Sequence, residues 1–238
     1  MAVLGGTFDP VHWGHLLIAE TALHQAGLDQ VIWVPVCRPH HKRGLAYEHR
    51  RLMVEKAIAD NPAFVISPVE TNHSEPDYAI GTLLALQETY PNCQWYWIIG
   101  IDSFQTLPRW YRRERLIPAC DWLVAPRPVP VPATASVLTQ TDTAQTGGDT
   151  QGNWLCQQVA SQLASQNIPI RWHLLQMPPL GISSSLIRQY CRQHRSIRYL
   201  VPEDVRTYIT RNNLYSGGVG SDKSAECSVE DRPFLENG

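Results

Sequence analysis

Gly5-Gly6-Thr7-Phe8-Asp9-Pro10-Val11-His12-Trp13-Gly14-His15 decides the reading of this chain. A short apolar segment runs into it and a helical pattern leaves it, so it sits where a first strand turns into a first helix. Paired glycines there let the backbone bend tightly and approach an anion closely. The helix that follows offers unpaired N–H groups and the positive end of its dipole. His12 and His15, three residues apart, share one face of its first turn. In an open α/β sheet, ligands bind at the carboxyl ends of strands. The string therefore reads as a polyphosphate cradle. Each part alone has a plainer meaning: a Gly-Gly turn, a packed histidine, half of a metal site.

Outward from this turn, strands and helices alternate. Residues 30–34 are an apolar, β-branched strand ending at Pro35, and a polar loop over 36–47 leads to a helix over 48–60. Residues 64–67, 94–99, 122–125 and 171–176 read as further strands. Helices are expected over 11–25, 78–90, 154–166, 183–194 and 202–212, with short ones within 103–116. Continuous apolar strands alternating with helices predict a doubly wound, Rossmann-like α/β parallel sheet, with a small helical part at the C-terminal end. Residues 1–215 form one domain in this reading. It is interrupted at 128–153, where Pro, Thr, Gln and Gly dominate and a flexible insert is expected. Residues 216–238, with five acidic against two basic side chains, read as a disordered tail.

Composition narrows the classes. The chain has 238 residues, 43% hydrophobic and 18% charged, with formal net charge -2. No basic field invites nucleic acid or an anionic membrane, and no apolar run approaches the roughly 20 residues that span a bilayer. The six cysteines form no CxxC pair, which argues against a zinc knuckle. A reducing cytoplasmic setting is expected, and self-association into a homo-oligomer stays open.

A second signal is Gly181-Ile182-Ser183-Ser184-Ser185-Leu186-Ile187-Arg188. Ser183 is a natural N-cap, and Ser184 and Arg188, four apart, share a helical face. A hydroxyl, free amides and a guanidinium would converge on one anion. A third element is Pro39-His40-His41-Lys42, in the loop after the second strand.

Together these residues resemble the nucleotidyltransferase superfamily marked by an HxGH motif and a distal ISSTxIR-like motif. The bacterial nicotinate-mononucleotide adenylyltransferases are the nearer likeness. Gly5–His15, Pro39–Lys42, residues 98–103 with Trp110, residues 182–188 and residues 205–215 carry it. The resemblance implies AMP transfer from ATP to nicotinate mononucleotide, giving deamido-NAD and pyrophosphate, with Mg²⁺ held by substrate phosphates. It places Gly5, Gly6, Thr7, Phe8, His15, Ser183, Ser184 and Arg188 at ATP. Lys42, Tyr78, Asp102, Trp110 and Tyr111 fall at the mononucleotide, Trp110 stacking on the pyridine. His12, His15, Lys42 and Arg188 would act on the reacting phosphates. His40 stands where the family commonly has proline, and Asp77-Tyr78-Ala79 where it often has Ser-Tyr-Thr. Pantetheine-phosphate or nicotinamide-mononucleotide adenylyl transfer, and a catalytically silent nucleotide-binding module, are the alternatives.

Overall fold

In the computed structural model, the described residues are 1–37, 44–69, 79–127 and 143–216, with backbone alone at 143–149. The strands are β1 (Ala2–Gly6), β2 (Val31–Pro35), β3 (Phe64–Ile66), β4 (Tyr96–Gly100), β5 (Asp121–Ala125) and β6 (Trp172–Leu174). They form one sheet in the order β3-β2-β1-β4-β5-β6, and every neighbouring pair is parallel. The chain winds one way from β1 to β3 and the other way from β4 to β6. Between β1 and β4 the two halves diverge, and that crevice is where such sheets bind ligands.

Helices cover both faces: α1 (Trp13–Gln25), α2 (Tyr47–Ile58), α3 (Ala79–Thr89), α4 (Ile101–Phe104), α5 (Arg113–Leu116), α6 (Thr143–Ala164), α7 (Ser184–Arg192) and α8 (Glu203–Arg211). Side chains alternate across a strand, so one strand feeds both layers. Ala2 and Leu4 join a core with Trp33, Ile98, Leu123 and the buried sides of α1, α2, α7 and α8. Val3 faces the other core, with Ile32, Trp97, Ile99, Trp122 and residues of α3, α4, α5 and α6. Both strand faces are thus covered, which is why the strands lack polar alternation.

Two expectations change. β1 runs on through Gly5-Gly6, because both glycines pair in register with Val34 and Pro35 of β2. And α6 begins at Thr143, so the flexible reading is corrected over 143–153. Cys156, Val159 and Leu163 are buried at helical spacing, and Gly152 lies against the Leu174 side chain. Once these turns are anchored, adding residues at the helix start costs little. Residues 128–142 of the expected insert and 217–238 of the expected tail lie outside the described residues. Ser216 lies inside them, its hydroxyl donating to the Asn213 carbonyl.

Ile98, at 1% exposure, stands in the middle of the sheet between β1 and β5. Ile98→Ala should cost about 2–5 kcal/mol. Urea unfolding checks this, and a loss well under about 1 kcal/mol would show that the core collapses around the deletion.

Candidate active site

At the β1–β4 crevice a cavity of about 640 Å³ is lined by Thr7, Phe8, Asp9, His12, His15, Asp102, Ile182, Ser183, Ser184, Ser185 and Arg188. The two motifs, some 170 residues apart in sequence, form one wall each. Its size is that of a pocket for a small organic ligand.

The first wall is the turn from β1 into α1. Phe8 takes a left-handed backbone conformation, φ 49°, which is uncommon for a residue with a side chain and recurs at functional sites. Its ring is buried, packed edge-on to His15 at 5.1 Å and tilted against Trp33 at 5.3 Å. His12 caps α1. The His12 N–H donates to Nδ1 of His15 at 3.3 Å, and the two imidazoles stack with centroids 3.8 Å apart. That bond fixes the tautomer of a neutral His15: Nδ1 accepts, so Nε2 carries the hydrogen and can donate onward. Gly14 makes the stack possible. A Cβ there would stand 2.9 Å from Nδ1 of His12.

Desolvation keeps both rings uncharged in the free protein. Burial lowers the His12 pKa to about 4. Burial, then the neighbouring His12, pushes His15 well below the ordinary imidazole range. Nδ1 of His12 is buried without a hydrogen-bond partner. An arriving anion would reverse this balance, since opposite charge favours the protonated ring.

The second wall is the start of α7. Ser183 caps the helix, its Oγ accepting from the Leu186 N–H at 3.2 Å. Ser184 Oγ donates to the Pro10 carbonyl at 2.9 Å. Arg188 donates from Nη1 to the Asp9 carbonyl at 2.6 Å and from Nη2 to Ser185 Oγ at 3.2 Å. The second motif therefore grips the first through main-chain oxygens. Arg188 Nη1 also lies 3.8 Å from the Asp9 carboxylate. That carboxylate accepts from the Tyr215 hydroxyl at 2.6 Å. Burial, and then the Asp9 charge, raise the Tyr215 pKa, so the phenol keeps its proton.

The residues expected from sequence distribute unevenly. Thr7, Phe8, His12, His15, Ser183, Ser184, Arg188 and Asp102 line the one cavity. Gly5 and Gly6 end β1 and are not among the lining residues. Asp102 opens α4 and pairs with Arg127 at 2.6 Å, both side chains largely exposed. Trp110 is not on the lining. Its indole N–H donates to Thr106 Oγ1 at 2.8 Å and its ring sits edge-on to Trp122, as befits a partly buried anchor. Tyr111 is exposed, with the Arg112 guanidinium over its ring at 5.2 Å. Lys42 and Tyr78 lie outside the described residues, as do His40, His41 and Asp77.

Sequence reasoning left out Asp9 and Tyr215. Both were in view, one inside the first motif and one ending the last matching segment. Their pairing across the chain had no sequence signal.

Residues 3–190 match the cytidylyltransferase-like family. A protein of Trichormus variabilis, named "Probable nicotinate-nucleotide adenylyltransferase", is 52% identical over 218 residues, covering 91% of this chain and 97% of the relative. The chain belongs to this cytidylyltransferase-like family of nucleotidyltransferases. A Geobacter sulfurreducens member of the same name is 38% identical, over 90% of this chain and 97% of its own. Among solved structures, Plasmodium falciparum nicotinic acid mononucleotide adenylyltransferase complexed with NaAD superposes with TM-score 0.65 at 19% identity. It covers 90% of this chain and 96% of that one. At that identity the likeness speaks for the shared family fold.

The two depressed histidines carry a pH signature. Imidazole ordinarily titrates at 6.5, and His12 in the fold at about 4. As pH falls from about 6.5 to about 4, the unfolded chain takes up protons that the fold refuses. The His12 contribution to stability is complete above this window and lost on descending through it, and the lowered pKa of His15 acts in the same direction. In His12→Asn the urea midpoint should fall less between pH 7 and pH 4.5 than in wild type. Parallel losses in the two proteins would contradict the burial of an uncharged His12.

Proposed function

We propose that this protein joins the AMP part of ATP to nicotinate mononucleotide, releasing pyrophosphate and giving deamido-NAD. The observation that carries the reading is the convergence of the two motifs on one cavity at the β1–β4 crevice, within a family whose relatives bear that name.

The nucleophile would be the 5′-phosphate of the mononucleotide. Its second pKa is near 6, so it is largely dianionic at neutral pH and needs no general base. One of its oxygens forms a bond to the α-phosphorus of ATP as the bond from that phosphorus to the β-bridging oxygen breaks. The difficulty is electrostatic: two anions must meet, and pyrophosphate must leave carrying the charge. We assign the Nε2–H of His15 to that developing charge, with His12 beside it. The start of α7, with Ser183, Ser184 and Arg188, would hold the β- and γ-phosphates through its free amides and guanidinium. Asp102 would take ribose hydroxyls, releasing Arg127.

Mg²⁺ belongs to this proposal. Among the described residues no group of three His, Cys, Asp or Glu side chains is placed to hold a metal ion, and the Asp9 carboxylate is already engaged by Tyr215. The ion would be carried by phosphate oxygens and water, supplying charge neutralisation. Among the described residues no helix is long and apolar enough to cross a membrane. We place the reaction in the cytoplasm.

Two measurements test the reading. Purified protein with ATP and Mg²⁺ should yield deamido-NAD from nicotinate mononucleotide and NAD from nicotinamide mononucleotide, told apart by mass, with kcat/KM about 100-fold higher for the acid. Two mismatched polar groups at roughly 1.4 kcal/mol each would account for that ratio. Equal or amide-favouring values would overturn the acid assignment. His15→Ala should fold normally and lose about 100- to 1,000-fold in turnover, the usual effect of removing one donor to developing negative charge. A folded variant with nearly wild-type turnover would remove His15 from the chemistry.

A further inference from the structure

Arg50 stands in the first turn of α2, following His49 and preceding Arg51, and by pattern it belongs to a solvated helix face. It is instead one of the most buried side chains, at 2% exposure. Its guanidinium donates to four main-chain carbonyls. Nε reaches Leu45 at 3.0 Å, Nη1 reaches Thr7 at 2.8 Å and Val36 at 2.7 Å, and Nη2 reaches Cys37 at 3.1 Å. Burial lowers its pKa, opposed chiefly by the nearby Asp9 charge. A buried cation is costly unless its donors are met, and here the fork is met almost entirely by backbone.

The four oxygens belong to three segments that must sit together at the cavity. Thr7 is on the cavity wall. Val36 and Cys37 lead out of β2, and Leu45 leads into α2. Between them the chain also returns against Asp9: a Cβ on Gly44 would stand 2.7 Å from the Asp9 carboxylate. A planar trans peptide sets its N–H opposite its carbonyl. Holding the Thr7 oxygen therefore fixes the Phe8 N–H pointing away from Arg50. Phe8 is also the residue with the left-handed backbone, a conformation that persists only where its surroundings impose it.

We infer that Arg50 is a positioning residue for AMP transfer: its guanidinium holds the Thr7–Phe8 peptide and the chain ends after β2 and before α2 in the arrangement that presents the first motif to the phosphates. No other described side chain donates to the Thr7 carbonyl. Arg50 is not among the residues that line the cavity. It acts through the turn it grips. Lysine cannot replace it, because a single ammonium cannot span oxygens arranged around a planar fork.

The inference rests on the AMP-transfer reading, and wild-type turnover in the same assay tests that reading separately. Arg50→Lys and Arg50→Ala are compared with wild type for kcat and both KM values. Turnover is expressed per ATP site counted by calorimetry, so that unfolded protein does not count. Displacing reacting groups by about an ångström can cost on the order of 100-fold. The expected result is a fall of about tenfold or more in kcat per ATP site in both variants, with KM values within a few-fold. Methylguanidinium, but not methylammonium at equal concentration, should partly restore Arg50→Ala. If Arg50→Ala does not fold, Arg50→Lys alone decides. Wild-type kcat per site in folded Arg50→Lys, with only the melting temperature lowered, overturns the inference. So does restoration of Arg50→Ala by both cations alike.

Discussion

The main-chain oxygens of Asp9 and Pro10 are held from across the molecule by Arg188 and Ser184. On that grip depends the whole site. Without it the first turn of α1 and the first turn of α7 would be two unrelated helix starts, each with a weak affinity for anions. The charged bond from Arg188 is of the stronger kind, worth roughly twice a neutral one. Tyr215 adds a third tie, to the carboxylate of the same residue. The Thr7 carbonyl, at the other end of the turn, goes to Arg50. The turn is therefore held from two sides, and its left-handed Phe8 backbone is what such over-determination permits.

This arrangement changes the reading of the second motif. Its side chains looked from sequence like free ligands for phosphate. In the free protein Ser184 spends its hydroxyl hydrogen on Pro10. It can still accept a hydrogen bond, and Arg188 can turn its remaining N–H groups to a ligand. The motif is first a structural clamp, and it cradles phosphate with what is left over. The histidines show the same economy. One nitrogen of His15 is occupied by the His12 N–H, which orients the other.

Most of the fold was legible because it is written in short-range pattern. Strand 31–35 is apolar throughout, Pro35 closes it, and the glycine-led motif after the first apolar residues announces the crossover from β1 into α1. Helix starts marked by Ser183 followed where capping chemistry placed them. The start of α6 was not legible. Residues 143–153 hold three glycines and no large apolar side chain, so local propensity argues against a helix, and only the packing beyond Gly152 favours one. The site was legible wherever a motif kept its parts close in sequence. Arg50 was hidden for the opposite reason: periodicity assigns a charge to the outside, and nothing local shows four carbonyls waiting for it. The side-chain contacts of Trp110, an indole N–H bond to Thr106 and an edge-on contact with Trp122, likewise had no signal in the local pattern.

The central claim is that two segments distant in sequence form one phosphate site. Amide hydrogen exchange with and without a non-hydrolysable ATP analogue tests it most directly. Both residues 5–15 and residues 182–188 should slow their exchange on binding, while α3, on the far side of the sheet, keeps its rate. Protection of one segment alone, or of neither, would contradict the account.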